Sequence, residues 1–483
     1  MENKLTAIGN NSGNEFSNVK LTDDQTKAIA GLLDFLNKPF DANDFSRALI
    51  GAAGTGKTFV IKYLIHESGY ANSVVGLSAP THKAVRVLRE ATGLKATTIQ
   101  SDLGLRLTVD VDNFDINNPP FDPQAEKKIE GYKLYIIDEA SMIGRNLKTL
   151  IERECKLHKC KVIYCGDSSQ LFPVRETFSP AFTSIKSYTL NQIVRQGDDN
   201  PLSDMLHILR SDIKNKTYNF LETLNRERFR FNAEHTKGYM TLKKDDFTDH
   251  VLSEFTDEEF SRNIDKVRLI TYTNRAVASW NTYIRNNIIS GAEASIITKH
   301  DLILCYTTLL DEFKDPIITN SEDYIIKDVV NYTNAYGIKG LLVKFVKIHG
   351  GMVTKPLFVV DHSDMANLLL YYKLYNDKLT IAKSANKYNR VSAWKEVYSF
   401  KEKNLLLTNI LNNGKITVYR DLDYGFCTSS HKSQGSTFDN VCVDVNDIVF
   451  KENGTAYNDA AEINRRLYVA VSRAKNKAIL CYG

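Results

Sequence analysis

One eight-residue segment limits the fold more than any other part of the chain. Residues 51–58 read Gly-Ala-Ala-Gly-Thr-Gly-Lys-Thr, after a short apolar run at 48–50 and before a helical pattern that continues to about Ser68. Glycines let backbone N–H groups close around a phosphate, and the N-terminus of the following helix favours an anion. Such a loop needs a buried strand before it and a helix after it, so the sequence predicts an α/β domain with a parallel sheet.

Every residue of this loop is a predicted nucleotide contact. The set is Gly51, Ala52, Ala53, Gly54, Thr55, Gly56, Lys57 and Thr58. Lys57 is expected to reach the β- and γ-phosphates, and the Thr58 hydroxyl to bind Mg²⁺. ATP and Mg²⁺ are therefore the predicted cofactors.

Two carboxylates complete the predicted hydrolytic site. The apolar strand pattern Leu134–Ile137 ends directly in Asp138 and Glu139. Asp138 is expected to hold Mg²⁺ through its water shell, and Glu139 to orient and deprotonate the attacking water. An Asp-Glu pair after a strand can also cap a helix, but together with the upstream loop the catalytic interpretation is favoured.

A phosphate loop and an acidic pair indicate only a nucleoside triphosphatase, and further segments narrow the class. They lie at 21–25, 79–84, 165–174, 190–196, 429–436 and 467–474, with His-Lys-Ser-Gln-Gly at 431–435 the most specific. In kind and order these segments resemble those of superfamily 1 helicases. Within that superfamily the chain resembles the RecD-type branch, and there the Dda-like phage helicases, from about Leu21 to the end of the sequence.

The resemblance implies further roles around the nucleotide. By it, Gln25 reads adenine, Gln170 senses the γ-phosphate, Arg195 contacts that phosphate, and Gly435 lies beside ATP. Arg473 would act as an arginine finger supplied from a second domain. From the residues alone, Thr22 can simply cap a helix and leave Gln25 no role in binding.

The resemblance also implies a path for single-stranded DNA. The predicted DNA contacts are Pro80, Thr81, His82, Lys83, Phe114, Ser429, His431, Lys432 and Trp394. Phe114 and Trp394 are candidates for stacking on bases, and Lys383, Lys387, Arg390 and Lys395 are basic neighbours of Trp394. Ordinary packing is the alternative for both aromatic residues. Three positions depart from the family: Gln100 stands where a His is usual, and Ser429 and Ser472 stand where a Thr is usual.

Shifts in sequence pattern suggest a division into domains. We expect a disordered tail at 1–20, a RecA-like domain at 21–189 with a β-hairpin inserted at 101–130, and a second RecA-like domain formed by 190–290 and 421–483. Short β patterns, among them Leu357–Val360, and a helical stretch at 365–387 predict an inserted SH3-like β domain at 291–420. The predicted class is α/β with two parallel sheets.

Composition excludes few functions, but it indicates the compartment in which the chain works. The net charge is +4 and the pI about 8.4, a weak signal for a nucleic-acid-binding protein. Seven cysteines form no CxxC pair, so we expect core thiols in a reducing compartment rather than metal ligands. No apolar run is long enough to span a bilayer. These features predict a cytoplasmic monomer, in the host cytoplasm if the chain is phage-encoded.

The acidic stretch at 245–260 predicts one solvated helix.

Together these patterns predict an ATP-dependent DNA helicase. It would move 5′→3′ on single-stranded DNA and unwind forked duplex in phage replication, recombination or repair, with a single-strand-binding protein as a candidate partner. Three alternatives stay open: a translocase that displaces bound proteins with little unwinding, an ATP-dependent DNA clamp, and a nucleotide kinase. The catalytic set argues against the clamp, and the 431–435 segment argues against the kinase.

Overall fold

The computed structural model describes residues 21–105, 127–173, 176–192, 200–313, 315–348, 351–386 and 388–483. The predicted tail, most of the predicted hairpin with Phe114, and the predicted site residue Arg195 lie outside these ranges. The chain forms two compact units, one of residues 1–80 and 84–198 and the other of residues 81–83 and 199–483.

The first unit is built on a six-stranded parallel sheet with the strand order β3-β2-β4-β5-β1-β6. Its strands are β1 Ser46–Gly51, β2 Val75–Ala79, β3 Thr97–Thr98, β4 Leu134–Ile137, β5 Lys161–Gly166 and β6 Lys186–Leu190. The helices that begin before or between these strands are α1 Asp23–Asn37, α2 Lys57–Glu67, α3 His82–Thr92, α4 Ile99–Asp102 and α5 Arg145–Leu157. Every residue of β4 and β5 is buried, as a parallel sheet covered on both faces requires.

A lysine inside the sheet holds the end of helix α1. The Lys161 side chain is 3% exposed. Its Nζ donates to the carbonyl oxygens of Phe35 at 2.7 Å and Leu36 at 3.0 Å, and also to that of Lys38. The last carbonyls of a helix lack partners within the helix, and a cation there is favourable. Lys161 therefore fixes the helix that carries Gln25 against strand β5.

Replacing this lysine should test the contact. Lys161→Met keeps much of the apolar stem but leaves three carbonyls without their donor, so the chain should lose about 2 kcal/mol or more in free energy of unfolding. Urea unfolding followed by circular dichroism measures the loss. The exposed Lys95 provides the control, because Lys95→Met should change stability very little. Equal stability of the two variants would contradict the assigned role.

The second unit contains a six-stranded sheet with the order β19-β9-β20-β21-β8-β7 and a five-stranded antiparallel sheet with the order β15-β14-β13-β10-β18. The strands of the first are β7 Phe229–Phe231, β8 Gly238–Leu242, β9 Val267–Thr271, β19 Cys427–Ser429, β20 Phe438–Asp444 and β21 Ala474–Cys481. Those of the second are β10 Leu302–Cys305, β13 Asp323–Thr333, β14 Lys339–Lys347, β15 Leu357–Val360 and β18 Leu422–Tyr424. Two small hairpins pair β11 Leu309–Leu310 with β12 Pro316–Ile318 and β16 Ile410–Asn412 with β17 Lys415–Val418.

Nine helices are described in this unit. They are α6 Leu202–Asn215, α7 Asn219–Arg226, α8 Lys244–Thr256, α9 Glu258–Arg262, α10 Asn274–Ile288, α11 Met365–Ser384, α12 Arg390–Lys403, α13 Val445–Val449 and α14 Ala460–Val471. A buried ion pair joins helix α10 to the residue that precedes the antiparallel sheet. Arg285 donates through Nε and Nη2 to the two carboxylate oxygens of Asp301, at 2.8 and 2.9 Å.

The predicted α/β class is confirmed. The first sheet is fully parallel, and in the second only β7 runs antiparallel to its neighbour. The prediction of one acidic helix at 245–260 was wrong. Helix α8 ends before Asp257, and helix α9 begins after it. The Asp257 carboxylate accepts the Glu259 N–H at 2.7 Å and so caps the new helix. None of the described helices is both long and apolar enough to cross a membrane.

Candidate functional site

The 51–58 loop connects strand β1 to helix α2 and depends on two left-handed residues. Gly54 has a φ of 83° and Gly56 a φ of 82°, which only glycine adopts at little cost. Gly56 is also the N-cap of α2, so its conformation sets the direction in which the helix N-terminus points. The loop therefore has the form that a phosphate site requires.

Lys57 lies inside this loop. Its Nζ donates to the carbonyl oxygens of Gly51 at 2.7 Å and Ala52 at 3.0 Å. The buried Thr55 hydroxyl donates to the same Ala52 oxygen at 2.9 Å. The ammonium is thus held by two carbonyl oxygens of the loop itself. Thr58, the other predicted side-chain ligand of the loop, lies in the first turn of α2.

Gln25 connects helix α1 to the loop. Its Nε2 donates to the Thr55 carbonyl at 3.1 Å, and its Oε1 accepts the Thr22 N–H at 3.1 Å. Thr22 in turn accepts the Gln25 N–H, which completes a capping box. The helix-capping alternative for Thr22 is therefore what the structure shows, while an adenine contact by Gln25 stays a prediction.

The acidic pair follows strand β4 on the same sheet. The Asp138 N–H donates to the Ser78 carbonyl on β2 at 2.8 Å, and the Glu139 N–H donates to Asp138 Oδ1 at 2.9 Å. Burial raises the pKa of the Asp138 carboxyl, while the Lys57 ammonium and the Glu139 N–H act against that rise. The Lys57 charge thus acts on Asp138, and the loop and the acidic pair follow strands of the same sheet.

Glu139 has a strained backbone. Its φ is 50° and its ψ 35°, a left-handed conformation that is uncommon for residues with a Cβ and costs roughly 1–2 kcal/mol. Strand β5 limits the space around this turn, because a Cβ on Gly166 would lie 3.1 Å from the Ser141 nitrogen. The fold thus holds the backbone of Glu139 in a strained conformation at the end of β4.

The turn after β5 positions the predicted γ-phosphate sensor. Asp167 Oδ1 accepts the Ser169 N–H at 2.9 Å, and the Asp167 carbonyl accepts the Gln170 N–H at 3.2 Å. Gln170 is buried. Since β5 lies between β4 and β1 in the sheet, Gln170 follows the strand next to both the acidic pair and the loop.

The strain at Glu139 can be measured with a matched pair of variants. Glu139→Gly and Glu139→Ala both remove the carboxylate, but only glycine relieves the left-handed conformation. The glycine variant should therefore unfold with a free energy about 1 kcal/mol above that of the alanine variant, although both should lack hydrolysis. A more stable alanine variant would show that the conformation is not strained.

The predicted DNA residues near helix α3 differ in their surroundings. Pro80 and Thr81 connect β2 to α3, and His82 is the first residue of that helix. Lys83 is buried, and its Nζ lies 3.0 Å from an Asp323 carboxylate oxygen and 5.0 Å from the centre of the Phe438 ring. A phosphate contact by Lys83 would have to compete with that carboxylate.

The 429–436 segment runs from the end of β19 to the start of β20. Ser429 is buried, and its Oγ accepts the Lys432 N–H at 3.4 Å. The Lys432 ammonium lies 3.4 Å from the centre of the Tyr306 ring. Burial, and then the charge of Arg466, lower the pKa of His431, which favours the neutral imidazole at neutral pH. Gly435 has a φ of 72°, so a glycine suits the turn.

Arg473 follows helix α14 and is held by backbone and side-chain oxygens of the second unit. Its guanidinium donates to the Val469 carbonyl at 3.1 Å, the Ser436 carbonyl at 3.1 Å and the Ser472 hydroxyl at 2.9 Å. Arg473 therefore joins the end of α14 to the 429–436 segment.

Sequence analysis did not predict the aromatic rings that pack around Arg466 and His431. Arg466 lies 3.6 Å from the centre of the Tyr272 ring and 4.8 Å from that of Tyr457, and Tyr272 also packs against His431. These partners are far apart in sequence, so local patterns carry no signal for them. Trp394 is partly buried in helix α12 and packs against Tyr398, as the packing alternative expects.

Comparison with known proteins finds helicases and a nucleotide-binding domain family. A family profile described as an AAA domain matches residues 20–229, and a profile described as a UvrD-like helicase C-terminal domain matches residues 424–481. The ATP-dependent DNA helicase dda of Enterobacteria phage T4 is 25% identical over 278 residues, which cover 55% of this chain and 58% of that protein. The chain is similar to superfamily 1 DNA helicases, Dda among them.

Other proteins match this chain over different shares of its length. The ATP-dependent RecD2 DNA helicase of Deinococcus radiodurans is 32% identical over 168 residues, 33% of this chain and 21% of that protein. The uncharacterized protein R530 of Acanthamoeba polyphaga mimivirus is 23% identical over 508 residues, 92% of this chain and 96% of that protein. The crystal structure of Pif1 helicase from Candida albicans has a TM-score of 0.49 at 18% identity, covering 96% of this chain and 95% of that chain.

Proposed function

We propose that this helicase couples ATP hydrolysis to 5′→3′ movement on single-stranded DNA and to the unwinding of forked duplex. One observation supports this coupling most strongly: the 2.8 Å hydrogen bond from the Asp138 N–H to the Ser78 carbonyl. Ser78 lies on β2, two residues before Pro80. A shift of the acidic pair would therefore act on the strand that leads into the predicted DNA contacts at 80–83.

The donor set fits a nucleotide with its metal. The Thr58 hydroxyl and the Asp138 carboxylate are oxygen ligands of the kind Mg²⁺ prefers. Mg²⁺ would neutralise charge on the phosphates. Lys57 would bind the phosphate oxygens, Glu139 would take a proton from the attacking water, and Gln170 would hold that water or the γ-phosphate in place. Gln25 would contact the base.

Two arginines and a glycine would supply the remaining nucleotide contacts. In this proposal Arg473 and Arg195 stabilise the charge that develops on the transferred phosphoryl group, with Gly435 beside the nucleotide. Ser429, His431 and Lys432 would bind the DNA backbone. Contacts that exist only before hydrolysis would give the two nucleotide states different affinities for DNA, which any ligand-driven switch requires.

The wider role follows from the same reasoning. Single-stranded and forked DNA are the proposed partners, a single-strand-binding protein is a candidate associate, and the chain would act as a monomer in the cytoplasm of a phage host. Replication, recombination or repair would use such an activity. Movement on single strands without unwinding is the alternative, because the described residues that suit DNA binding serve it equally well.

Removal of the proposed finger should separate binding from hydrolysis. Arg473→Ala should reduce DNA-stimulated ATP hydrolysis by about 10³-fold, the lower end for an arginine finger, while ATP binding persists. Arg473→Lys should restore little, because an ammonium lacks the planar fork of a guanidinium. Arg262→Ala is the control, since that side chain is exposed and lies on helix α9. Normal hydrolysis by Arg473→Ala would exclude the role.

Direction and unwinding can be tested on DNA substrates of different shape. The chain should unwind a forked duplex and a duplex with a 5′ overhang, but not a duplex with only a 3′ overhang. Lys57→Ala should unwind none of them. Displacement of streptavidin from biotinylated single strands measures movement alone. Displacement without unwinding of the fork would favour the translocase alternative, and activity only from 3′ overhangs would reverse the direction.

A further inference from the structure

The lysine of the 429–436 segment lies on an aromatic ring from a distant part of the chain. The Lys432 ammonium is 3.4 Å from the centre of the Tyr306 ring, and Tyr306 directly follows strand β10 of the antiparallel sheet. Lys432 is an exposed residue. A cation is attracted to the face of an aromatic ring, but the ring is neutral, so the lysine keeps its full charge at the surface.

Three contacts hold the Tyr306 ring in place. Its N–H donates to the Asp421 carbonyl at 2.7 Å, and its hydroxyl donates to Asp423 Oδ2 at 3.0 Å. The Arg420 guanidinium lies 5.2 Å from the ring centre and pairs with the same Asp423 oxygen at 2.6 Å. Among the described residues Asp423 therefore has the Tyr306 hydroxyl and Arg420 as partners, and it forms no ion pair with Lys432.

Two lysines of the proposed DNA contacts thus have partners of opposite kinds. Lys83 is buried and lies 3.0 Å from an Asp323 carboxylate oxygen, so a phosphate would have to displace an anion to bind it. Lys432 lies on a neutral ring, and a phosphate could bind it without displacing any carboxylate. A long lysine side chain loses rotamer freedom when it binds, and a side chain that is already held in place loses less.

We propose that Tyr306 is a positioning residue for DNA binding, whose ring holds the charged Lys432 ammonium where a phosphate of the single strand can bind it. Tyr306 acts through Lys432 and needs no contact with DNA of its own. The antiparallel sheet then contributes to the phosphate contact, because its strands β10 and β18 fix the ring. This inference rests on the proposed contact between Lys432 and the DNA backbone.

The affinity of the full chain for a labelled oligothymidylate, measured by fluorescence anisotropy, tests the proposal. Lys432→Ala should weaken binding and make the dependence of log affinity on log salt less steep by about 0.7, the value for one phosphate contact on a single strand. Tyr306→Leu should weaken binding about fivefold, the effect of losing one cation–π contact. In the Lys432→Ala background Tyr306→Leu should have almost no further effect, because the lysine that the ring positions is gone.

Two further variants separate positioning from damage to the sheet. Tyr306→Phe keeps the ring face and should bind DNA within about twofold of the wild-type chain. Tyr336→Leu is the matched control, because the Tyr336 ring lies 5.8 Å from the ammonium of Lys378, a lysine outside the proposed DNA contacts. Its affinity for the oligonucleotide should not change.

The outcomes distinguish this inference from the proposed function. Wild-type affinity in Lys432→Ala would refute the backbone contact of that lysine, and the inference with it. If Lys432→Ala weakens binding and Tyr306→Leu does not, only the inference is overturned. It is also overturned if Tyr306→Leu weakens binding equally in both backgrounds, because general damage to the sheet would do that. Binding by Tyr306→Phe as weak as that by Tyr306→Leu would assign the effect to the hydroxyl and overturn the role of the ring.

Discussion

The parallel pairing of β2, β4, β5 and β1 is the constraint on which the first unit depends. Parallel strands bring their carboxyl ends to one edge of the sheet, where ligands of open α/β folds bind. The 51–58 loop follows β1, the acidic pair follows β4 and the turn to Gln170 follows β5. Because β5 lies between the other two strands, the strand order brings three segments that are separated in sequence to one edge of the sheet.

Sequence patterns predicted these parts because each is local. The bounds of Leu134–Ile137 and Leu357–Val360 were predicted as the structure has them, since short apolar runs between polar turns leave little choice of register. Glycine spacing likewise predicted the loop. The break at Asp257 was missed, because an aspartate within a helical pattern is also common on a solvated helix, and only the cap to Glu259 distinguishes the two.

Contacts across the fold could not be predicted in this way. Nothing near Gln25 in sequence indicates that its amide donates to the Thr55 carbonyl, nor does anything near Lys432 indicate the Tyr306 ring. Lys83, which the resemblance expects to meet a phosphate, is buried against Asp323. The sequence shows that a cation lies in the 79–84 segment, but the tertiary structure decides which group it pairs with.

Buried polar groups in this chain serve different ends. Arg285 and Asp301 satisfy one another with two short hydrogen bonds, an arrangement that fixes geometry and needs nothing further. Asp138 is opposed by Lys57 and remains available to a ligand. Asp102 belongs to neither kind, because hydroxyls alone satisfy it. Hydroxyl groups can donate or accept, so four of them satisfy both oxygens of a buried carboxylate without a cation. The three carboxylates thus differ in what balances their charge: an arginine for Asp301, the lysine of the phosphate loop for Asp138, and hydroxyl dipoles for Asp102.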